Sequence, residues 1–324
     1  MEKLKFIDLF CGIGGFRIGF ENACKEHNIQ PECVFSSDID LHCQNVYEHN
    51  FGEKPHGDIT KINESDIPDH DILLAGFPCQ AFSIIGQMKG FEDTRGTLFF
   101  DIARILNKKS PKAFILENVK QLVGHNKGKT LKVILKSLKD IGYHVQYSVL
   151  NALDYGLPQK RERVIIVGHR EPILFNYPDP ERNCVPLNQI LEVKVDQKFY
   201  VSEYIRQKRK LKHTSSYPLS IWHENKSGNI CSYPYSCALR SGASHNYLLV
   251  NGERRLTPRE MLRLQGFPDN FEIIVSDGQG KKQAGNAVPV NVIEAVSLKL
   301  LPFISESFDT NLILREYEVK YGSK

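Results

Sequence analysis

A cysteine follows a short apolar run and a proline in the sequence Gly-Phe-Pro-Cys-Gln-Ala-Phe-Ser at residues 76–83. The apolar residues 71–75 before it predict a buried parallel strand that ends at a Gly/Pro turn. We therefore expect the thiol of Cys79 just beyond the carboxyl end of a strand, where open α/β sheets bind their ligands. A free cysteine is more often a small buried hydrophobic residue. The octapeptide alone leaves both interpretations open, a nucleophile and a packing residue.

A glutamate and two arginines occupy comparable positions further along the chain. Glu117 lies near the end of the apolar run 112–119, and an acid in such a run is costly to bury without a partner or a chemical task. Arg161 and Arg163 lie in the segment 159–163, between two predicted strands of one sheet. Such charges on a loop are usually on the surface, but the flanking strands would let these guanidinium groups reach the same site.

The chain begins with the pattern of a strand, a glycine-rich turn and a helix. Residues 4–10 have a strand pattern, and residues 11–16 read Cys-Gly-Ile-Gly-Gly-Phe. This order favours a nucleotide-type ligand above the first strand–helix junction. Arg17 stands where the dinucleotide fingerprint has its third glycine, so we expect a ligand without pyrophosphate that approaches the backbone closely. Such turns also occur for packing alone.

Two acidic residues follow the next predicted elements. Asp38 comes at the end of the second strand, a position suited to a pair of ribose hydroxyls. Asp58 and Ile59 follow a turn and are expected at the same rim of the sheet. Adenosine would fit this set, with the ribose on one acid, the adenine edge on the other and the ring against Ile39 or Ile59. Either acid could instead be a helix N-cap.

Composition describes an ordinary globular protein of 324 residues, with 41% hydrophobic and 25% charged residues. No apolar stretch is long enough for a membrane span. The eight cysteines show neither a Cys-x-x-Cys pair nor zinc-type spacing with histidine, so we expect no metal site and, without an export signal, reduced thiols in a cytoplasmic protein.

Residues 181–255 hold 12 Lys and Arg against 6 Asp and Glu. That imbalance favours contact with a polyanion.

Strands and helices alternate to about residue 168, which predicts the α/β class. From about residue 171 prolines accumulate and the alternation is lost. The following region combines basic, aromatic and polar side chains on irregular backbone, which suits contacts to base edges and phosphates. Near its end, residues 256–260 predict a helix with proline in its first turn. A last helix is predicted from 291 to about 301.

Taken together, these segments resemble the DNA (cytosine-5)-methyltransferases of the small bacterial restriction–modification type, above all the HhaI type. The matching segments, in the order of the family, are 8–15, 38–40, 58–59, 76–83, 117–119, 159–163, 255–260 and 285–289. The resemblance implies a Rossmann-like sheet that binds S-adenosyl-L-methionine, formed by residues 1–171 and completed by 283–324. It also implies a smaller, irregular target-recognition domain with a hinge at 172–282.

The resemblance implies roles for the catalytic candidates. Cys79 would attack C6 of a flipped-out cytosine, because thiolate addition makes C5 reactive. Glu117, protonated in an apolar setting, would donate to N3, and Asn118 would help to position it. Arg163 would contact O2, and Arg161 would support the thiolate and the backbone. The loop 80–97, which contains several glycines, would close over the base, and a water could remove the C5 proton.

The resemblance also implies the cofactor site and the partners. S-adenosylmethionine would lie on residues from each predicted strand end, namely Phe10, Gly12, Ile13, Gly14, Asp38, Ile39, Asp58, Ile59, Leu98 and Asn286. The protein would act on double-stranded DNA as a monomer, beside a cognate restriction endonuclease that cuts the same site. One departure is that residues 237–240 read Cys-Ala-Leu-Arg where the family has a Thr-Leu pair, which puts one phosphate contact in doubt.

Three other interpretations explain fewer of these segments. A tRNA cytosine-5 methyltransferase on the same scaffold stays open, although the Cys-Phe-Thr signature of those relatives is absent. A nicotinamide-dependent dehydrogenase would leave Cys79, Glu117 and Arg163 without roles, and its third glycine is missing. A non-catalytic DNA-binding relative should have lost Cys79 or Glu117, and both are present.

Overall fold

The computed structural model describes residues 2–78, 98–171, 174–180, 183–244 and 246–305. The predictions for Cys79 and for the loop 80–97 lie outside these residues. Across the described ranges, no helix has the length and apolar character needed to cross a bilayer.

The strands and helices of the described residues are numbered in chain order. The strands are β1 (Lys3–Leu9), β2 (Gln30–Ser37), β3 (Ile72–Gly76), β4 (Ala113–Val119), β5 (His144–Asn151), β6 (Gln159–Lys160), β7 (Glu162–His169), β8 (Ile221–Glu224), β9 (Ile230–Tyr233), β10 (Ser236–Cys237) and β11 (Leu248–Val250). The α-helices are α1 (Gly15–Glu26), α2 (Leu41–Phe51), α3 (Leu98–Lys109), α4 (Lys129–Asp140), α5 (Leu187–Ile190), α6 (Glu203–Lys212), α7 (Pro258–Leu264), α8 (Asp277–Asn286) and α9 (Val290–Leu300).

A six-stranded sheet in the order β2-β1-β3-β4-β7-β5 forms the centre of the molecule. Its middle strands are apolar on both faces because helices cover both sides. In β1, Phe6 packs into the cluster formed with α1 and α9, whereas Ile7 packs into the cluster formed with α3 and α4. Burial of each such side chain contributes about 1.5–3 kcal/mol to stability. The predicted α/β class with a Rossmann-like sheet is confirmed.

The sheet departs from the predicted strand–helix alternation at its far edge. No α-helix separates β5 from β7, and β7 runs antiparallel to both β4 and β5. The reversal has a consequence for the site. Because β7 starts where β4 ends, Arg163 is paired in register with Val119 at the carboxyl edge of the parallel strands.

The region predicted to be irregular contains more regular structure than its sequence pattern indicates. Strands β11, β8 and β9 form a small antiparallel sheet, and α6 adds a ten-residue helix. Helix α7 begins at Pro258, as predicted, with a reciprocal capping box between Thr257 and Glu260. The last helix, α9, is also confirmed within a residue or two. The division into two domains stays a prediction, and α8 crosses its boundary at 282/283.

Candidate active site

The carboxyl edge of the parallel strands opens into one large cleft of about 1380 Å³. The connections that leave β1, β2, β3 and β4 all reach it, and the reversed β7 enters from the same side. The other wall consists of the loop 239–244 and the end of α8. This placement brings together side chains that are far apart in the sequence.

The cleft gathers nearly all of the predicted site residues that the structure describes. Those lining it are Phe10, Gly12, Ile13, Asp38, Ile39, Asp58, Ile59, Leu98, Glu117, Asn118, Arg161, Arg163 and Asn286. Pro78, the residue before Cys79, also lines it.

Gly14 is the predicted residue that does not line the cleft. It precedes α1 with a left-handed φ of 85°. A Cβ built on it would lie 2.3 Å from the ring of Phe51. Backbone conformation and close packing already require a glycine at this position, and the ligand contact at Gly14 stays a prediction. Gly15 and Phe16, the next two residues, do line the cleft.

Asp38 and Gly12 form the floor of the cleft at the first two strand ends. Asp38 Oδ2 accepts the Gly12 N–H at 2.8 Å, and Oδ1 accepts the Asp40 N–H at 2.8 Å. Burial raises the pKa of the Asp38 carboxyl, and these two N–H groups oppose the shift. A Cβ built on Gly12 would meet no atom within 4 Å, so the backbone there faces open space.

Asp58 caps a short 3-10 turn. Its Oδ1 accepts the Thr60 N–H at 3.1 Å and the Thr60 hydroxyl at 2.7 Å, so the N-cap interpretation holds for this acid. These hydrogen bonds lower the pKa of Asp58. Ile59 is almost completely buried, whereas 72% of Ile39 is exposed. Of the two isoleucines, Ile39 is therefore the one that offers free apolar surface to a ring.

Glu117 does not lie in the apolar setting that was predicted for it. Its Oε1 is 2.7 Å from Arg163 Nε, and both side chains are mostly shielded from solvent. The pairing follows from the reversed β7, which places Arg163 beside the end of β4. Oε2 faces Gly76, where a Cβ would lie 3.7 Å from it. The carboxylate is thus fixed by a guanidinium and remains beside the segment that leads to Cys79.

Asn118 supports the backbone of that segment instead of positioning the Glu117 carboxyl. Its Nδ2 donates to the Phe77 carbonyl at 2.8 Å, and its Oδ1 accepts the Val119 N–H at 2.8 Å. Asn118 is almost completely buried. The amide therefore ties the end of β4 to the turn that follows β3.

Arg161 joins the catalytic sheet to the opposite wall. Nη1 donates to the Leu239 carbonyl at 2.8 Å, and Nη2 donates to the carbonyls of Gly285 and Ala287 at 3.0 and 2.8 Å. Only 2% of the residue is exposed. Burial and the positive charge of Arg163 lower the pKa of Arg161. The predicted support of backbone is present, but it acts on three carbonyls that the sequence did not indicate.

Replacing Arg161 by methionine is expected to lower the free energy of unfolding by about 2–4 kcal/mol, because the carbonyls of Leu239, Gly285 and Ala287 each lose the Arg161 donor, although Ala287 keeps Gln265 Nε2 at 3.1 Å. Thermal unfolding followed by circular dichroism measures this. Lys160→Gln removes an exposed neighbouring charge and should leave the unfolding temperature unchanged. Equal stability of Arg161→Met and the wild type would contradict the structural role.

Several lining residues were not predicted as site residues. Arg240 is exposed on the second wall, with its guanidinium carbon 4.8 Å from the ring centre of Tyr247. Asp40 pairs with Lys282 at 2.7 Å across the edge of the cleft. Arg240 could have been identified from the sequence, because it directly follows the position where the family has its Thr-Leu pair. Nothing in the sequence pairs Asp40 with a lysine so far along the chain.

Comparison with known proteins agrees with this geometry. A family model described as C-5 cytosine-specific DNA methylase matches residues 4–301. The type II methyltransferase M.NgoBI of Neisseria gonorrhoeae is 58% identical over 296 residues, which cover 90% of this chain and 91% of the relative. M.HhaI of Haemophilus parahaemolyticus is 40% identical and covers 93% of this chain and 95% of its own. The chain is thus similar to the HhaI type and more similar still to M.NgoBI.

A solved structure shows the same fold at low sequence identity. The DNMT2 mutant of Spodoptera frugiperda superposes with a TM-score of 0.71 at 22% identity, covering 93% of this chain and 99% of that chain. With the cleft, the matched family model and the relatives in agreement, the chain belongs to the C-5 cytosine-specific DNA methylase family and is a DNA (cytosine-5)-methyltransferase.

Proposed function

We propose that this enzyme transfers a methyl group from S-adenosylmethionine to C5 of a flipped-out cytosine in a short specific sequence of double-stranded DNA, through a covalent bond between Cys79 and C6. The observation that carries the proposal is the Glu117–Arg163 pair at 2.7 Å. It lies in the cleft that Asp38 and Pro78 also line. An acid for the base and a nucleoside site thus share one opening with Pro78, the residue before the proposed nucleophile.

The chemistry of cytosine explains why these groups are needed. C5 is a poor nucleophile, and bond formation between the Cys79 sulfur and C6 turns the ring into an enamine whose C5 can accept a methyl group. Negative charge then grows on N3 and O2. Glu117 would hold a proton against N3, and Arg163 would stabilise O2. Loss of the C5 proton, with water as acceptor, releases the thiolate and restores the ring.

The other cysteines support the assignment of Cys79 as the nucleophile. The thiolate is the reactive form of cysteine. Seven cysteines lie in the described part of the chain. Burial raises the pKa of five of them, which are Cys11, Cys24, Cys33, Cys43 and Cys237. Cys184 is exposed, and neither it nor Cys231 lines the cleft. Cys79 directly follows Pro78, a residue that does line it.

The residues at the first two strand ends fit S-adenosylmethionine. The open space above Gly12 admits a ligand close to the backbone, and the exposed face of Ile39 can pack on an adenine ring. The Asp38 carboxylate has lone pairs left for ribose hydroxyls. When bound, the cofactor supplies an electrophilic methyl group. The chain supplies orientation, with Leu98 and Asn286 on the remaining walls.

Replacing Asp38 by asparagine is expected to weaken S-adenosylmethionine binding about 10- to 100-fold, the loss of a charge-assisted hydrogen bond. Isothermal titration calorimetry measures the dissociation constant. Asp40→Asn is the matched control, because the Asp40 carboxylate already bonds Lys282 and the His42 N–H. Equal affinity in Asp38→Asn and Asp40→Asn would remove Asp38 from the cofactor site.

Duplex DNA is the substrate that the chemistry and the charge favour. The target base cannot reach the sheet edge inside a duplex, and flipping it out costs a few kcal/mol that pocket contacts must offset. The excess of positive charge in residues 181–255 can neutralise backbone phosphates. We infer a monomer that acts beside a separate restriction endonuclease. The family match and the type II relatives give no support to the tRNA alternative.

Bisulfite sequencing of plasmid DNA from a host that expresses the chain tests the proposal. Protected cytosines within one short motif are expected, and they would also identify the recognition sequence. Complete conversion, despite folded protein that binds S-adenosylmethionine, would reject DNA as the substrate and direct the search to RNA.

A further inference from the structure

A second, smaller cavity lies outside the active-site cleft, between helix α6 and the β8–β9 hairpin. Its volume is about 130 Å³. It is lined by Tyr204, Ile205, Lys208, Arg209, Lys212, Glu224, Ile230 and Asn246. We call this cavity the α6 groove.

The lining of the α6 groove carries an excess of positive charge. Three cations line it, and Glu224 is the one carboxylate among the lining residues. That carboxylate is already paired, because Arg209 Nη2 lies 2.7 Å from its Oε2. Lys208 and Lys212 are both exposed. The groove therefore presents two lysines with no acidic side chain left to neutralise them.

The two lysines differ from the other cations of α6. Arg206 pairs with Glu203, and Lys210 pairs with Glu253. Neither Lys208 nor Lys212 forms an ion pair with any described residue. Four residues apart, they lie on the same face of the helix, where like charges destabilise it. An anion between them would remove that cost.

Arg209 adds a buried donor to the same place. Only 3% of the residue is exposed, and its Nη1 has no hydrogen-bond partner among the described residues. Its Nη2 is held by Glu224 and by the Asn246 carbonyl. Leaving a buried guanidinium N–H unsatisfied is costly, so an anionic oxygen that reaches Nη1 from the groove would be stabilised by it.

The position of the α6 groove relative to the active site decides which anion fits. Glu224 lines both the groove and the cleft, and the next two residues, Asn225 and Lys226, line the mouth of the cleft. A duplex whose target base enters the cleft would therefore extend its backbone past the hairpin.

We propose that the α6 groove binds a backbone phosphate of duplex DNA outside the target bases, with Lys208, Arg209 and Lys212 as its ligands. The inference rests on the proposed function, because it takes the substrate to be duplex DNA. The contact reads no base, so it adds affinity without sequence information. It makes binding depend on DNA length and on salt.

The double variant K208Q/K212Q tests the inference, with K132Q/K139Q as the matched control. The control removes two exposed lysines from helix α4, which contributes no residue to the cleft or to the groove. Both variants lose the same charge, and Arg209 is left in place to protect folding. Duplexes carry the sequence found by bisulfite sequencing, and fluorescence anisotropy gives the dissociation constant at several salt concentrations.

The K208Q/K212Q variant is expected to bind a long duplex about five- to tenfold more weakly at 0.1 M salt, because each phosphate contact contributes a slope of about 0.9 in log K against log salt. Its salt slope should fall by about one. When the duplex is shortened stepwise on each side, the wild type should lose affinity at a step where the variant does not. The methylated sequence should not change, because the contact reads no base.

Two outcomes overturn the inference. One is a salt slope and a length dependence equal to those of K132Q/K139Q. The other is that inorganic phosphate at constant ionic strength stabilises the wild-type protein but not K208Q/K212Q, while DNA binding by the variant stays normal. That result would make the groove a site for a free anion. In both cases bisulfite sequencing still reports whether the enzyme methylates cytosine, so failure of the inference is distinguished from failure of the proposed function.

Discussion

Glu117→Gln is expected to slow methyl transfer by about two to four orders of magnitude, the range for loss of a positioned acid. Glutamine has nearly the same shape, and its amide oxygen can still accept from Arg163 Nε, which lies 2.7 Å from Glu117 Oε1. It cannot give up a proton to N3 as charge develops there. The measurement is single-turnover methyl transfer at saturating DNA and cofactor.

Glu162→Gln is the matched control for this experiment. Glu162 is in β7, beside Arg163, and its carboxylate pairs with Lys120 at 2.7 Å outside the cleft. Its replacement should leave the rate within about threefold of wild type. DNA binding by both variants should stay near wild type, because phosphate contacts dominate affinity. A Glu117→Gln rate as high as that of Glu162→Gln would remove the acid from the mechanism.

The parallel strands and their flanking helices could be predicted from the sequence because buried apolar runs and amphipathic helices leave strong patterns. Strand direction leaves no such pattern. The antiparallel placement of β7 depends on its pairing with β4 and β5. The short strands of the β11-β8-β9 sheet also escaped prediction, since three or four residues carry too little periodicity.

The residues of the site could be predicted where residue type and spacing in the sequence were informative, but the contacts among these residues could not. Glu117 and Arg163 were both identified, yet their pairing depends on the reversed strand. The three carbonyls bound by Arg161 come from the loop at Leu239 and from the end of α8. Main-chain acceptors carry no sequence signal. At Gly14 the residue type does not separate a conformational requirement from a ligand contact, since both are met by glycine.

Cys79→Ser is expected to abolish methyl transfer while duplex DNA still binds. A serine hydroxyl is a far weaker nucleophile than a thiolate. The basic residues of 181–255, which we propose contact the phosphates, are unchanged in this variant. Transfer of a labelled methyl group to plasmid DNA measures activity, and gel shift measures binding.

A covalent readout makes the Cys79 prediction specific. Fluorine at C5 cannot leave as a proton, so after methyl transfer the bond between sulfur and C6 should persist. A denaturation-resistant complex of protein and DNA is therefore expected with wild type on 5-fluorocytosine substrate and not with Cys79→Ser. Cys184→Ser changes an exposed cysteine outside the cleft and should trap DNA as wild type does. A trapped complex in Cys79→Ser would assign the nucleophile to another residue, and the raised pKa of the buried thiols makes each of them a poor replacement.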